Sequence, residues 1–163
     1  MQFSRAAHHE AGEHTAKVAI GYETSDEGAR MDIQAGDMSA IDIWVNYVDA
    51  HNTLDLDAIN NANAADFKGW AANGVIVDGP AAHADFFKEW SAASNPRWKY
   101  KCAIANDVAQ EDGSIYHWVT ASYTVTDTID GKEINSEEMY DVRIENGKIK
   151  NIYVAARGVI AAK

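Results

Sequence analysis

The hydrophobic period of this chain changes once, at Arg97, and that switch limits the folds open to it. Before Arg97, apolar side chains recur at helical spacing: Ile41, Trp44, Val45 and Val48 form one stripe, and Phe86, Phe87 and Trp90 form another that also takes in His83. After it the pattern alternates, with Trp98, Tyr100, Cys102 and Ile104 set against Lys99, Lys101 and Ala103. Helices followed by a run of strands, with no strand–helix–strand repeat, define an α+β class.

The spacing predicts a helix over 37–52 and a second from Asp55 to about Asp66, with the Asp55 carboxylate accepting orphan backbone N–H groups. Phe67–Trp70 and Val75–Val77 read as a hairpin closed by Asn73-Gly74. Asp78 is placed to cap a third helix that opens at Gly79-Pro80 and stops at Ser94-Asn95-Pro96. Turns at Asp112-Gly113, Asp130-Gly131 and Asn146-Gly147 divide the remainder into four strands, of which 114–126, 132–145 and 148–157 are the last three. Cys102, alternating with Trp98 and Tyr100, reads as a core filler, and His117 as an outer-face residue.

Residues 1–36 differ in composition and read as an N-terminal arm, partly helical or extended, ahead of one domain over 37–163. A short helix is expected over Met1–Ala19 and a loop over Gly21–Gly36, with Ser25-Asp26-Glu27-Gly28 as its turn. His8-His9-Glu10 with His14 suggests a metal site, but His9 and His14 are five apart, which is the wrong interval for one helix face. A solvated arm, or a strap across a neighbouring subunit, fits better, and neither metal nor cofactor is expected.

With 163 residues, 47% of them hydrophobic, the chain can bury one sizeable core. A formal charge of −11 argues against nucleic acid and against an anionic membrane surface. The single cysteine allows no intrachain disulfide. No apolar run reaches the roughly 18 residues of a membrane span, and no secretory hydrophobic region opens the chain, so a cytoplasmic location is expected.

Three stretches, in order along the chain, carry a family resemblance. Tyr47-Val48-Asp49-Ala50-His51-Asn52-Thr53-Leu54-Asp55-Leu56-Asp57 is similar to the corner between the first two helices of the SnoaL-like and ketosteroid isomerase-like proteins, within the nuclear transport factor 2-like superfamily. Gly79-Pro80-Ala81-Ala82-His83-Ala84-Asp85-Phe86-Phe87 resembles the third helix of that family. Asp141-Val142-Arg143-Ile144-Glu145-Asn146-Gly147-Lys148-Ile149 resembles its closing hairpin. The resemblance implies a cone, in which a curved antiparallel sheet packs against three helices and leaves an apolar pocket at the open end. In the isomerases an Asp removes a proton beside a carbonyl while a Tyr and a protonated Asp donate hydrogen bonds to the oxyanion. Tyr47 falls at the tyrosine position. The base position falls near Ala71 or Ala72, and the second donor position at Tyr140, so steroid isomerase chemistry is not expected.

A pocket in the family's location would collect Tyr47, His51, Trp70 and His83, and strand parity adds Trp118 and Tyr140. Glu138 shares the apolar side of its strand with Ile134, Tyr140, Val142 and Ile144. A carboxylate there must be paired, or its pKa rises into the range of a general acid or base. Tyr47, His83 and Glu138 are therefore the candidate catalytic groups, with His51, Trp70, Trp118 and Tyr140 as ligand contacts. Each has a plainer reading as well. Tyr47 can be a phenol with a structural hydrogen bond, His83 a satisfied core histidine, His51 a partner of the helix dipole, and Glu138 the partner of a lysine. Two functions stay open: a cofactor-independent isomerase, cyclase, dehydratase or hydrolase acting on a small hydrophobic molecule, and a ligand-binding or assembly module without chemistry. By parity the outer sheet face carries Tyr153, Ile149 and Met139, which suggests a homodimer.

Overall fold

A computed structural model describes residues 18–159. Among these residues the chain forms β1 (Ala19–Thr24), β2 (Arg30–Ala35), α1 (Met38–Asn52), α2 (Leu56–Ala62), β3 (Asn63–Trp70), β4 (Ile76–Asp78), α3 (Pro80–Ser94), β5 (Arg97–Ala109), β6 (Ile115–Ile129), β7 (Lys132–Glu145) and β8 (Lys148–Gly158). The strands make one curved, unclosed sheet in the order β1-β2-β5-β6-β7-β8-β3-β4, antiparallel except for β3 beside β8. The three helices cover one face of it. The α+β class expected from the period switch and the cone that the family resemblance implies are the observed fold.

Helix α1 starts where Asp37 accepts a hydrogen bond from the Ser39 amide at 2.8 Å, and it buries Ile41, Trp44, Tyr47, Val48, Ala50 and His51. Asp55 caps α2 as expected, accepting from the Ala58 amide at 3.0 Å. That helix ends at Ala62 rather than near Asp66, because Asn63 turns inward and begins β3. The Asn73-Gly74 turn is present, with Gly74 at φ 88°. Pro80 opens α3, but the cap residue is Gly79, and Asp78 pairs instead with Lys68 across the β3–β4 ladder at 3.0 Å.

The loop expected over Gly21–Gly36 is a hairpin. Its turn lies where Ser25-Asp26-Glu27-Gly28 marks it, yet the flanks pair as strands and β2 adds to the edge of β5. The signal was weak because β5 supplies the partner and Gly36 the close approach: a Cβ at Gly36 would lie 2.8 Å from the Asn106 amide. The His8-His9-Glu10 and His14 cluster lies outside the described residues, as does all of Met1–Ala19 except Val18 and Ala19.

Two bulges reassign faces. Tyr100 pairs with Tyr123 but Cys102 with Ser122, so Lys101 is an extra residue and the parity of β5 inverts beyond it. Cys102 is consequently exposed beside the Ser122 hydroxyl, not a core filler, and Ala103 and Ala105 turn inward. In β8, Ile149 pairs with Ile144 and Asn151 with Arg143. Ile149 therefore lies fully buried in the core, while Tyr153 and Met139 are exposed. His117 shares the inner parity of Val119 and bonds Asp107 at 2.7 Å, contrary to its expected outer placement.

Candidate functional site

The helices stand off the sheet far enough to leave a cavity of about 550 Å³. Its walls come from α1, β3, the turn after it, α3 and the inner sides of β5, β7 and β8. Most of the lining is aromatic or aliphatic, including Trp44, Phe67, Phe86, Phe87, Trp90 and Trp98. Tyr47, His51, Trp70, His83, Glu138 and Tyr140 all belong to the lining; Trp118 does not. Trp118 sits on the opposite face of β6, cross-strand from Arg143 and 6.3 Å from the Tyr153 ring. Trp70 borders the cavity beside Ala71, but its ring does not face into it: it stacks on Tyr153 at 4.4 Å, on the sheet face that Tyr153 shares with Trp118.

One pole of the cavity is a buried triangle. The Tyr47 hydroxyl donates to Asn63 Oδ1 at 2.8 Å and lies 3.3 Å from His83 Nδ1. Asn63 Nδ2 is 3.2 Å from the same imidazole nitrogen. An amide nitrogen can only donate, so His83 Nδ1 accepts and its proton is on Nε2. His51, one turn beyond Tyr47, holds the opposite tautomer. Its Nδ1 is 2.7 Å from the Tyr47 carbonyl oxygen, which can only accept, so Nδ1 carries the proton and Nε2 a bare lone pair. The two rings are 5.3 Å apart. Burial lowers the pKa of His51 to about 3 and of His83 to about 4, so both are neutral at physiological pH. Burial likewise holds the Tyr47 phenol well above its ordinary value, as a neutral donor.

The other pole is built on β5 and β7. Asn52, at the end of α1, grips both backbone groups of Trp98, accepting from its amide at 2.8 Å and donating to its carbonyl at 2.9 Å. So fixed, the Trp98 indole N–H donates to the Tyr140 hydroxyl at 2.6 Å, and that hydroxyl donates to Glu138 Oε2. Ser136 donates to Glu138 Oε1 at 3.0 Å. Among the described residues no lysine or arginine pairs with Glu138, whose partners are these two hydroxyls. Burial raises its carboxyl pKa, the bonds from Tyr140 and Ser136 oppose the rise, and the charge of Asp127 adds to it. Tyr140 is pushed well above the ordinary phenol value, chiefly by burial and then by Glu138.

Asn63 and Trp98 were not singled out by sequence. Asn63 sits in the run Asn60-Asn61-Ala62-Asn63-Ala64, where nothing separates the buried amide from its exposed neighbours. Ala71 and Ala72 line the cavity where the family resemblance puts the catalytic base, and they bring no titratable group. Among the described residues no group of three or more His, Cys, Asp or Glu side chains could hold a metal ion.

No protein-family model matches the chain, and no curated protein does. Solved structures match its fold. An M. tuberculosis LEH-like epoxide hydrolase superposes with a TM-score of 0.61 at 14% identity, over 74% of this chain and 84% of that one. A candidate polyketide cyclase from Xanthomonas campestris gives 0.60 at 19%, over 71% and 88%. A protein of ketosteroid isomerase-like fold from Catenulispora acidiphila, solved with trimethylamine, gives 0.56 at 16%, over 69% and 82%. The chain thus has the nuclear transport factor 2-like fold shared by the SnoaL-like and ketosteroid isomerase-like proteins.

Proposed function

We propose that the cavity is the active site of a cofactor-independent acid–base enzyme acting on a small hydrophobic cyclic or carbonyl-bearing molecule. The observation that carries this reading is the Tyr47–Asn63–His83 triangle at the cavity wall, beside a second neutral imidazole of complementary tautomer. A substrate oxygen at this pole would take the hydrogen bond Tyr47 now gives to Asn63, which places a donor where negative charge develops. His51 would accept a proton at Nε2, and His83, being neutral, would give a hydrogen bond from its Nε2–H to the substrate oxygen while keeping the proton. An imidazole of such low basicity holds a proton only while a nearby anion raises its pKa, and the developing substrate charge supplies that anion. Proton abstraction, dehydration and epoxide opening all need such a pair.

A second reading, a ligand-binding or assembly module without chemistry, draws on Ala71 and Ala72 at the family's base position. A panel of enones and epoxides separates the two. The enzyme reading expects turnover of at least one member, reduced about 100-fold or more in Tyr47→Phe, His83→Ala and His51→Ala. Absence of turnover across the panel, or variants that keep the parent rate, would favour the module. In either case a homodimer through the outer sheet face and a cytoplasmic location belong to the proposal. No helix among the described residues is long and apolar enough to cross a membrane.

A further inference from the structure

The Glu138 pole carries information about the ligand that the imidazole pole does not. Among the described residues no lysine or arginine lines the cavity, and its histidines are both neutral, so an entering carboxylate or phosphate would meet no cation from them. Among the described residues the acidic ones of the lining are Glu138 and Glu89. Glu138 has two hydrogen-bond donors, the Tyr140 and Ser136 hydroxyls, but no positive partner among the described residues. Asp127, the neighbouring charge, is negative too and is itself held by Trp90 Nε1 at 2.9 Å and Ser94 Oγ at 2.5 Å. A carboxylate in an apolar wall is costly unless a cation meets it.

The wall around it is suited to a cation. Trp90 and Trp98 meet edge to face with centroids 5.2 Å apart, and Trp44 lies 5.3 Å from the Tyr140 ring. Indole and phenol faces are negative and attract ammonium groups, most strongly when water is excluded. A protein of net charge −11 also draws cations toward its clefts.

From this lining we infer that the natural ligand is a lipophilic amine, its ammonium seated between Glu138 and the indoles of Trp98, Trp90 and Trp44 while its ring system reaches the Tyr47–His83 pole. The inference rests on the reading of the cavity as a ligand site and names the chemical class that site selects.

Three benzyl-bearing probes of similar size test it: benzyltrimethylammonium, its neutral isostere neopentylbenzene, and the anion 3-phenylpropanoate. Calorimetry or ligand-detected NMR with the full chain is expected to show the cation binding at least tenfold tighter than the isostere and the anion not binding. In Glu138→Gln, which keeps the shape of the side chain, the cation-to-isostere ratio is expected to fall below about threefold with the isostere's affinity unchanged. Equal or tighter binding of the isostere to the parent protein would overturn the inference, as would an unchanged ratio in Glu138→Gln. The parent comparison needs no variant, so a Glu138→Gln chain that does not fold leaves the test standing. Binding of the isostere alone would sink the amine while sparing the ligand site; binding of none of the three would sink the site itself.

Discussion

Asn63 holds the site together. It is the one side chain that can give Tyr47 an acceptor and His83 a donor at once, and it does so from a position 6% exposed. Replacing it with alanine leaves the phenol and the imidazole lone pair only their longer contact of 3.3 Å with each other, so Asn63→Ala is expected to cost about 1–3 kcal/mol, read from the urea midpoint. The imidazoles set a pH dependence whose sign follows from their depressed pKa values. Between pH about 6.5 and about 4 the unfolded chain binds protons at His51 and His83 that the folded chain refuses. Stability should therefore fall as pH falls through that window, by up to about 3 kcal/mol from each group. Glu138 acts in the opposite sense, since its raised pKa favours the folded state when the carboxyl is protonated and loses that effect as pH rises. Urea midpoints from pH 7.5 to 4 in the parent and in His51→Asn separate the contributions: the variant should show a shallower decline. Tyr47 was readable because the family resemblance puts it at the tyrosine position, His51 because it lies one turn beyond Tyr47, and His83 because helical spacing puts it on the stripe of Phe86 and Phe87. Asn63 was not, because a buried asparagine in a polar run has no periodic signature.

Strand faces were harder to read than helix faces, and the bulges explain why. Period-two reasoning carries a residue's face along a strand only until one extra residue intervenes. Lys101 is such a residue in β5, which is why Cys102 and Ile104 face outward; the register shift at Lys150 in β8 turns Ile149 inward. Trp118 was misread for another cause: β6 carries aromatics on both faces, and the inner one is marked by the small Ala121 and by Val119, not by bulk. The β1–β2 hairpin depends on the absence of a Cβ at Gly36. Gly36→Val should push β2 off β5 and cost about 1–3 kcal/mol, with amide exchange accelerated at Ile33, Gln34 and Ala35 while the β6–β7 ladder stays protected. Uniform acceleration over the whole sheet would show that the hairpin and the cone unfold as one unit.

At the scale of the molecule, the helices among the described residues leave one sheet face uncovered, and Tyr153 and Met139 are 41% and 57% exposed on it. A homodimer through this face would cover them. Sedimentation is expected to give twice the chain mass, and Met139→Lys with Tyr153→Lys to return the monomer without lowering the melting temperature of the cone. The fold class was legible from the single change of period, and the position of the cavity from the three motifs, because both depend on patterns spread over many residues. Which groups meet inside the cavity depends on side-chain geometry that no pattern encodes. That geometry, two neutral imidazoles of opposite tautomer against the Tyr47 phenol, is the centre of the functional reading. Long-range ¹⁵N–¹H NMR of the histidine rings at pH 7 observes it directly. The expected spectrum shows His51 protonated only at Nδ1 and His83 only at Nε2. An imidazolium pattern at either residue, or the reverse tautomers, would contradict it.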